Sequence, residues 1–500
     1  MPTPAVFRSA AVPRNPTALP WVQVAPVGRY FMTDDSAPFL LIGQNDAVNW
    51  PNMWQLHYEA DIGSTERYIQ KLAAHGVTVM RMMLEYCHDD AWYLEKPVGR
   101  FAPEQVLYWD NVIGLCERHG VRLLLSPWDT FFMARRWEQH PYSAKGSPFR
   151  GPSDFCVHRP AIAAEKARLA FIIDRWGDSP AILGFDLLNE IHPHWGGTVA
   201  QQGEWIHEIA TFMNARALAR HGRRHLLTCS IFGPMPEGEY PELIFRHPDL
   251  DFATTHIYWP DWIDMPENTF DCVRAINRSV RYALGEIRDQ RPFTDTETGP
   301  IHLFLERQQQ LDAAFDTEYY HNMSWAHLMS GGAGSGMRWP SRNPHCLTDA
   351  MHAVQAGMAR ACRAVDWAHF AATPVEGRLR VVAREVAEQY RGTVPRLAVL
   401  PLLPARAYGV SDGPTSFLWV LRDSRVVGAQ APLGEVALVG AGWLPGSYTV
   451  EFFDTYTGAA RGGTALWVGE PPQDTSLGTV LRIPLPLDGA DVGLVVRRSG

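Results

Sequence analysis

Phe185-Asp186-Leu187-Leu188-Asn189-Glu190 is a short apolar run that ends in an amide and a carboxylate. Its length and near-continuous hydrophobicity predict a strand buried on both faces, as in a parallel sheet covered by helices. Similar runs occur on either side, at 39–45, 77–84, 121–127, 225–230, 252–258, 292–297 and 332–339. Helical patterns separate them. Residues 65–75 stop at Gly76, and residues 103–119 open on Pro103 and stop at Gly120. Further helices are read at 160–176, 201–221, 269–288 and 311–329. Eight strands alternating with helices predict an α/β fold, a (β/α)8 TIM barrel spanning residues 29–372, with the helix 348–370 closing it. The rival doubly wound sheet would carry a glycine-rich phosphate-binding turn early in the chain, and none is present.

Outside the barrel the pattern changes. Residues 1–28 carry scattered prolines and read as an extended N-terminal arm. After Pro374 the hydrophobic period becomes two, at 416–421, 435–439, 447–453 and 492–496, with turns at Pro445-Gly446 and 454–458. This predicts a smaller C-terminal antiparallel β-sandwich domain, residues 373–500. Its Trp419, Trp443 and Trp467 fit either a carbohydrate-binding module or, preferably, a domain packed on the barrel.

The net charge of −9 argues against nucleic acid and anionic membranes as partners. No apolar run approaches the roughly 18 residues that span a bilayer. The first 26 residues lack the apolar core of a signal peptide. The seven cysteines have no CxxC spacing, so buried free thiols and a cytoplasmic location are expected, with secretion after leader removal as the alternative.

Barrel active sites lie at the C-terminal ends of the strands. Glu190 ends the fourth strand and Glu297 the seventh, across the barrel from each other. Two facing carboxyls suit retaining glycoside hydrolysis, one as acid/base and one as nucleophile. Asn189 is placed to bond a sugar hydroxyl. Arg81 is a charge within the apolar strand 77–84 and needs a carboxylate. Glu297 and Asp186 are its candidates, and both pairings are compatible. Tyr258 is placed to bond the nucleophile. His256 reads as an interior histidine or a substrate contact. Tryptophans follow nearly every strand tip: Trp50, Trp54, Trp92, Trp128, Trp195, Trp259, Trp262 and Trp339. Indole faces stack on pyranose rings, which suits a carbohydrate partner. No metal and no cofactor are expected. Cys87-His88-Asp89-Asp90 and His192-Pro193-His194 lack repeated ligand spacing and read better as substrate loops. Glu85 and Asp129 are rival strand-end carboxylates.

With these residues in place, the chain resembles the retaining (β/α)8 glycoside hydrolases typified by the family 5 cellulases and mannanases. The resemblance covers roughly residues 30–370. It implies that Arg81 is the strand-two arginine, Asn189-Glu190 the acid/base pair, Tyr258 the strand-six tyrosine and Glu297 the nucleophile. It further implies that Trp339 lies under the sugar. The segment Ile42-Gly43-Gln44-Asn45 with Trp50-Pro51 resembles the first strand and loop of cellulase-like members, which puts Asn45 and Trp50 at the substrate. Ser126-Pro127-Trp128-Asp129 departs from the histidine many members place after strand three. The implied activity is retaining hydrolysis of a β-linked glycoside. A catalytically silent carbohydrate-binding protein and a transglycosylase are the alternatives.

Overall fold

Eight parallel strands, numbered here within the barrel, surround its axis: β1 (Leu41–Asn45), β2 (Val79–Met83), β3 (Arg122–Ser126), β4 (Ile182–Asp186), β5 (Leu226–Thr228), β6 (Ala253–Ile257), β7 (Phe293–Thr298) and β8 (Gly334–Arg338). The structure is a computed structural model that describes residues 11–88, 92–259, 263, 269–299, 313–340, 345–389, 400, 403–423, 434–469 and 480–499. The ladder runs β5-β4-β3-β2-β1-β8-β7-β6. It closes just past the short β5, where Phe232 bridges His256 and the His256 N–H donates to Ile231 O at 2.9 Å. Every residue of these strands is buried, which is why the sequence shows apolar runs rather than alternation. The strands approach closely at glycines. A Cβ on Gly43 would sit 2.4 Å from Val79 O, and one on Gly184 2.4 Å from Leu226 O. In β7 the register against β6 shifts between Asp295 and Glu297, leaving Thr296 as an extra residue. Such a bulge re-aims the next side chain, and that side chain is Glu297.

The sequence places most elements within a few residues of where they lie. Pro103–His119 is helical as read, with Gly120 left-handed at its C-terminus. The loop after β1 is not bare, because Pro51–Glu59 forms a helix before Ile62–Ala74. The loop after β3 contains a helix, Thr130–Arg135, and three short 3-10 turns. The closing helix ends at Cys362, earlier than the pattern suggests.

The sandwich pairs a six-stranded antiparallel sheet with a three-stranded one. Its strands Leu379–Ala383, Ala405–Ser411, Ala460–Val468 and Val480–Leu485 were not among those read from sequence. Leu418, Val420, Leu438, Val450, Ile483 and Leu494 fill the space between the sheets. The sandwich sits hard against the barrel. Trp325 Nε1 donates to Thr455 O at 3.2 Å, and His321 stacks on Tyr456 at 3.8 Å between ring centres. Trp419 and Trp443 are buried, whereas Trp467 is 71% exposed.

From residue 11 the N-terminal arm lies on the barrel. Val12 N donates to Asn111 Oδ1 at 2.8 Å, and Arg14 pairs with Asp178 and Glu117. Val22–Val24, Phe31–Thr33 and Pro38–Phe39 form a small antiparallel sheet. All seven cysteines are free. Among the described residues no helix is long and apolar enough to cross a membrane.

Candidate active site

Arg81, in the middle of β2, organises the C-terminal mouth of the barrel. Its side chain is buried and reaches acceptors from several strands. Nη1 donates to Glu297 Oε2 at 2.8 Å and to Asn45 Oδ1 at 3.0 Å. Nη2 donates to Asp186 Oδ2 at 2.8 Å and to Asn189 Oδ1 at 2.5 Å. Both partners foreseen for Arg81 are therefore present. Burial opposes the cation, but Asp186 and Glu297 outweigh it and raise the Arg81 pKa above that of free arginine.

The other oxygen of Glu297 accepts from the Tyr258 hydroxyl at 2.7 Å. Burial, and then the charge of Glu297, pushes the Tyr258 phenol well up, so it stays a donor. Asp186 Oδ2 also takes the Ser230 hydroxyl at 2.8 Å, and Ser230 Oγ accepts the Glu190 N–H at 3.0 Å. With its amide oxygen held by Arg81, Asn189 is left with its NH2 for the cavity it lines.

Glu190 is not at the strand tip. β4 ends at Asp186, and Glu190 follows in a turn with φ +57°, the left-handed region. Its Oε1 lies 2.7 Å from His256 Nδ1. Burial raises the Glu190 carboxyl to about 7, against the opposing charge of Arg81. Burial lowers His256 to about 4, so its imidazole is neutral. Ligand oxygens of Glu190 and Glu297 lie within 4.8 Å of each other. That matches the spacing of roughly 5–5.5 Å for a retaining pair rather than the wider gap of an inverting one.

A cavity of about 970 Å³ opens above these groups, lined by Glu190, Glu297, Asn189, Tyr258, Trp50 and Trp339 among others. Trp50 and Trp339 meet edge-on with 4.8 Å between ring centres, and His345 stacks on the other side of Trp50 at 5.3 Å.

Three expected substrate contacts are placed elsewhere. Trp128 is fully buried beneath the loop after β3, donating to the Tyr142 hydroxyl at 2.9 Å under the Arg168 guanidinium. Asn45 is spent on the barrel, its NH2 donating to Thr296 O and Met337 O while its oxygen holds Arg81. His256 is 0% exposed and touches Glu190 rather than the cavity. Of the other tryptophans, Trp195 also lines the cavity, Trp92 packs on His57, and Trp259 lies under Arg278. Trp262 lies outside the described residues, as do Asp89 and Asp90. Glu85 pairs with Arg168 at 2.9 Å away from the cavity. Asp129 does line it, its carboxyl raised to about 7 by burial and held by the Cys87 and Phe132 N–H groups.

Sequence reading missed Phe131, Phe132, Arg135 and Phe232 in the cavity wall. The first three sit in the one short helix Thr130–Arg135 and Phe232 in the loop after β5, segments too short to show periodicity. The run Thr130-Phe131-Phe132-Met133-Ala134-Arg135 was the only signal, an apolar stretch directly after a strand tip.

Among the described residues, two groups of side chains offer metal-ligand atoms within 4.8 Å of one another: Glu190, His256 and Glu297, and Glu85, Cys87 and His140. In each, a guanidinium already holds a carboxylate, Arg81 on Glu297 and Arg168 on Glu85. A cation there would lie against that positive charge.

No family model matches the chain. It is 25% identical over 313 residues to mannan endo-1,4-beta-mannosidase 2 of Arabidopsis thaliana, spanning 55% of this chain and 69% of that one. It is 23% identical over 347 residues to the Oryza sativa protein of the same name, spanning 61% and 74%. Among solved structures, one glycoside hydrolase aligns over 96% of this chain and 97% of its own with a TM-score of 0.61 at 14% identity. A family 5 glycoside hydrolase from Bacteroides vulgatus aligns over 96% and 93% with a TM-score of 0.58 at 12% identity. The shared architecture thus extends through barrel and sandwich together.

Proposed function

We propose that this family 5-like (β/α)8 glycoside hydrolase cleaves β-linked mannosides by a retaining double displacement, with Glu190 as acid/base and Glu297 as nucleophile. The enzyme class follows from the fold and the sequence relatives. Mannose is taken from the mannosidase names of those relatives.

The observation that carries the mechanism is the unequal treatment of two carboxyls within 4.8 Å of each other. Glu297 has an oxygen on Arg81 and an oxygen on Tyr258, which fix its orientation. Glu190 has no cation in contact and is raised to about 7 by burial, which leaves about half of it protonated at pH 7 and most of it below. In the first step Glu297 attacks the anomeric carbon while Glu190 gives its proton to the departing oxygen. A neutral His256 donating from Nδ1 to Glu190 Oε1 would leave Oε2 to deliver that proton. In the second step the Glu190 carboxylate takes a proton from water as water attacks the glycosyl ester, and Glu297 leaves as carboxylate. The Asn189 NH2 is positioned for the hydroxyl beside the reacting carbon, a bond that tightens as the ring flattens. Trp50 and Trp339 supply the apolar faces for the pyranose.

The test is Glu297→Gly with and without azide, on aryl β-mannosides. The reading expects hydrolysis to be lost and azide to restore turnover, giving a glycosyl azide of inverted configuration. Near-normal hydrolysis in the variant would overturn the nucleophile assignment. Efficient cleavage of aryl β-glucosides in preference to mannosides would overturn the choice of sugar.

A further inference from the structure

One cation at the cavity has no carboxylate partner among the described residues. Arg135 ends the helix Thr130–Arg135 and is exposed. It lines the cavity, and its guanidinium lies 4.5 Å from the centre of the Phe131 ring. Among the described residues it makes no ion pair. Several other surface arginines, among them Arg150, Arg159, Arg216 and Arg224, each hold an acidic side chain, and Arg135 is the arginine placed at the cavity without one among the described residues. Of the acidic groups described in the cavity, Asp129 is held by two backbone N–H groups and Glu297 by Arg81 and Tyr258. Glu190 bonds His256 and feels the Arg135 charge with no ion pair between them.

Arg135 is on the Glu190 side of the site. It follows β3, and His192 follows β4. The Arg135 guanidinium and the His192 ring both act on the Glu190 carboxyl, opposing its rise. His192 and His194 are exposed and also line the cavity. The acid of a glycosidase stands beside the leaving group, so this wall faces the aglycone. Phe131 is 38% exposed next to the guanidinium. It offers an apolar ring for a sugar face and steadies the cation by cation–π contact.

We propose that Arg135, with Phe131 beside it and His192 on the next loop, forms an anion-recognising subsite for the leaving group, so that the enzyme selects glycosides whose aglycone carries a carboxylate or a sulfate. A planar guanidinium meets either group with two parallel hydrogen bonds. The carboxylate corresponds to a uronic acid and the sulfate to a sulfated sugar. The inference rests on Glu190 being the residue that protonates the leaving oxygen.

The test uses three aryl β-mannosides that differ only at the para position: carboxylate, sulfonate and neutral carboxamide. The quantity read is the ratio of kcat/KM for each anionic substrate to that for the carboxamide, at one pH. Effects of Arg135 on the Glu190 proton are common to all three and cancel in the ratio. The wild-type ratio is expected to be about tenfold, a modest charge-assisted bond. Arg135→Gln should bring it to near one, and added salt should lower it in the wild type only. A preference for the carboxylate marks a uronic acid, and one for the sulfonate marks a sulfate ester. A wild-type ratio near one, or a ratio that Arg135→Gln leaves unchanged, overturns the subsite while leaving the hydrolase standing. If none of the mannosides is cleaved, the mannoside reading fails, and the same ratio is taken on the aryl β-glycoside that is cleaved.

Discussion

Raising the pH through 7 should switch the enzyme off by removing one proton. Glu190 has 12% of its side chain exposed, and burial raises its carboxyl to about 7. The sign follows from its role. The working form is the protonated acid, so activity is present below the raised pKa and is lost as pH rises through it. About half of the enzyme carries the proton at pH 7, roughly a tenth at pH 8 and on the order of a hundredth at pH 9. The profile of kcat/KM reports groups on the free enzyme, so it should fall about tenfold per pH unit above 7 for a phenyl β-mannoside. A dinitrophenyl leaving group departs without a proton, and its profile should lack that limb. Glu190→Gln should lower kcat/KM for the phenyl substrate by about 10²–10⁴, the usual worth of a positioned general acid, and much less for the dinitrophenyl one. A basic limb near the ordinary glutamate value of about 4.5, or a limb near 7 that survives Glu190→Gln, would refute the reasoning.

Four further outcomes probe the surroundings. Arg81→Met strands Asp186 and Glu297 in the interior, and should cost about 3–5 kcal/mol of unfolding free energy in urea titration. Trp128→Ala empties a fully buried site and should cost about 3–5 kcal/mol, with KM unchanged in the folded protein. Trp50→Ala should instead raise KM for mannosides, because its ring lines the cavity. Gly357→Ala would put a Cβ 1.9 Å from Tyr456 O, where barrel meets sandwich. Calorimetry should show a lowered transition, equivalent to about 1–3 kcal/mol of overpacking.

The barrel was legible because a strand buried on both faces writes itself as an apolar run bounded by helix stops. Arg81 was legible for the converse reason, since a charge inside such a run demands partners. Elements were missed where the signal is weak. The edge strand Ala460–Val468 is largely exposed and contains Gly462 and Gly463, so it shows no apolar alternation. The tryptophan pattern misled at Trp128 for a different reason. Trp50 and Trp128 both follow a strand tip, but the long loop after β3 folds back over Trp128 with Tyr142 and Phe155 and seals it from the cavity. Sequence position gives the end of the barrel on which a ring lies. It does not give which side of a loop the ring faces.

The two glutamates also differ in how their backbones are built, and this gives them different surroundings. Glu297 stays in its strand, and the bulge at Thr296 turns it toward Arg81 and Tyr258. Glu190 leaves its strand, and its left-handed φ of +57° carries a cost of order 1–3 kcal/mol for a residue that is not glycine. That turn persists because Ser230 holds it at both ends, its Oγ taking the Glu190 N–H at 3.0 Å and its carbonyl the Ile191 N–H at 2.9 Å. A glycine would relieve the strain and remove the acid. Off the strand, Glu190 meets the neutral His256 at 2.7 Å rather than a guanidinium, and burial raises its pKa to about 7. The turn that sequence reading simplified to a strand tip thus sets the surroundings of the acid.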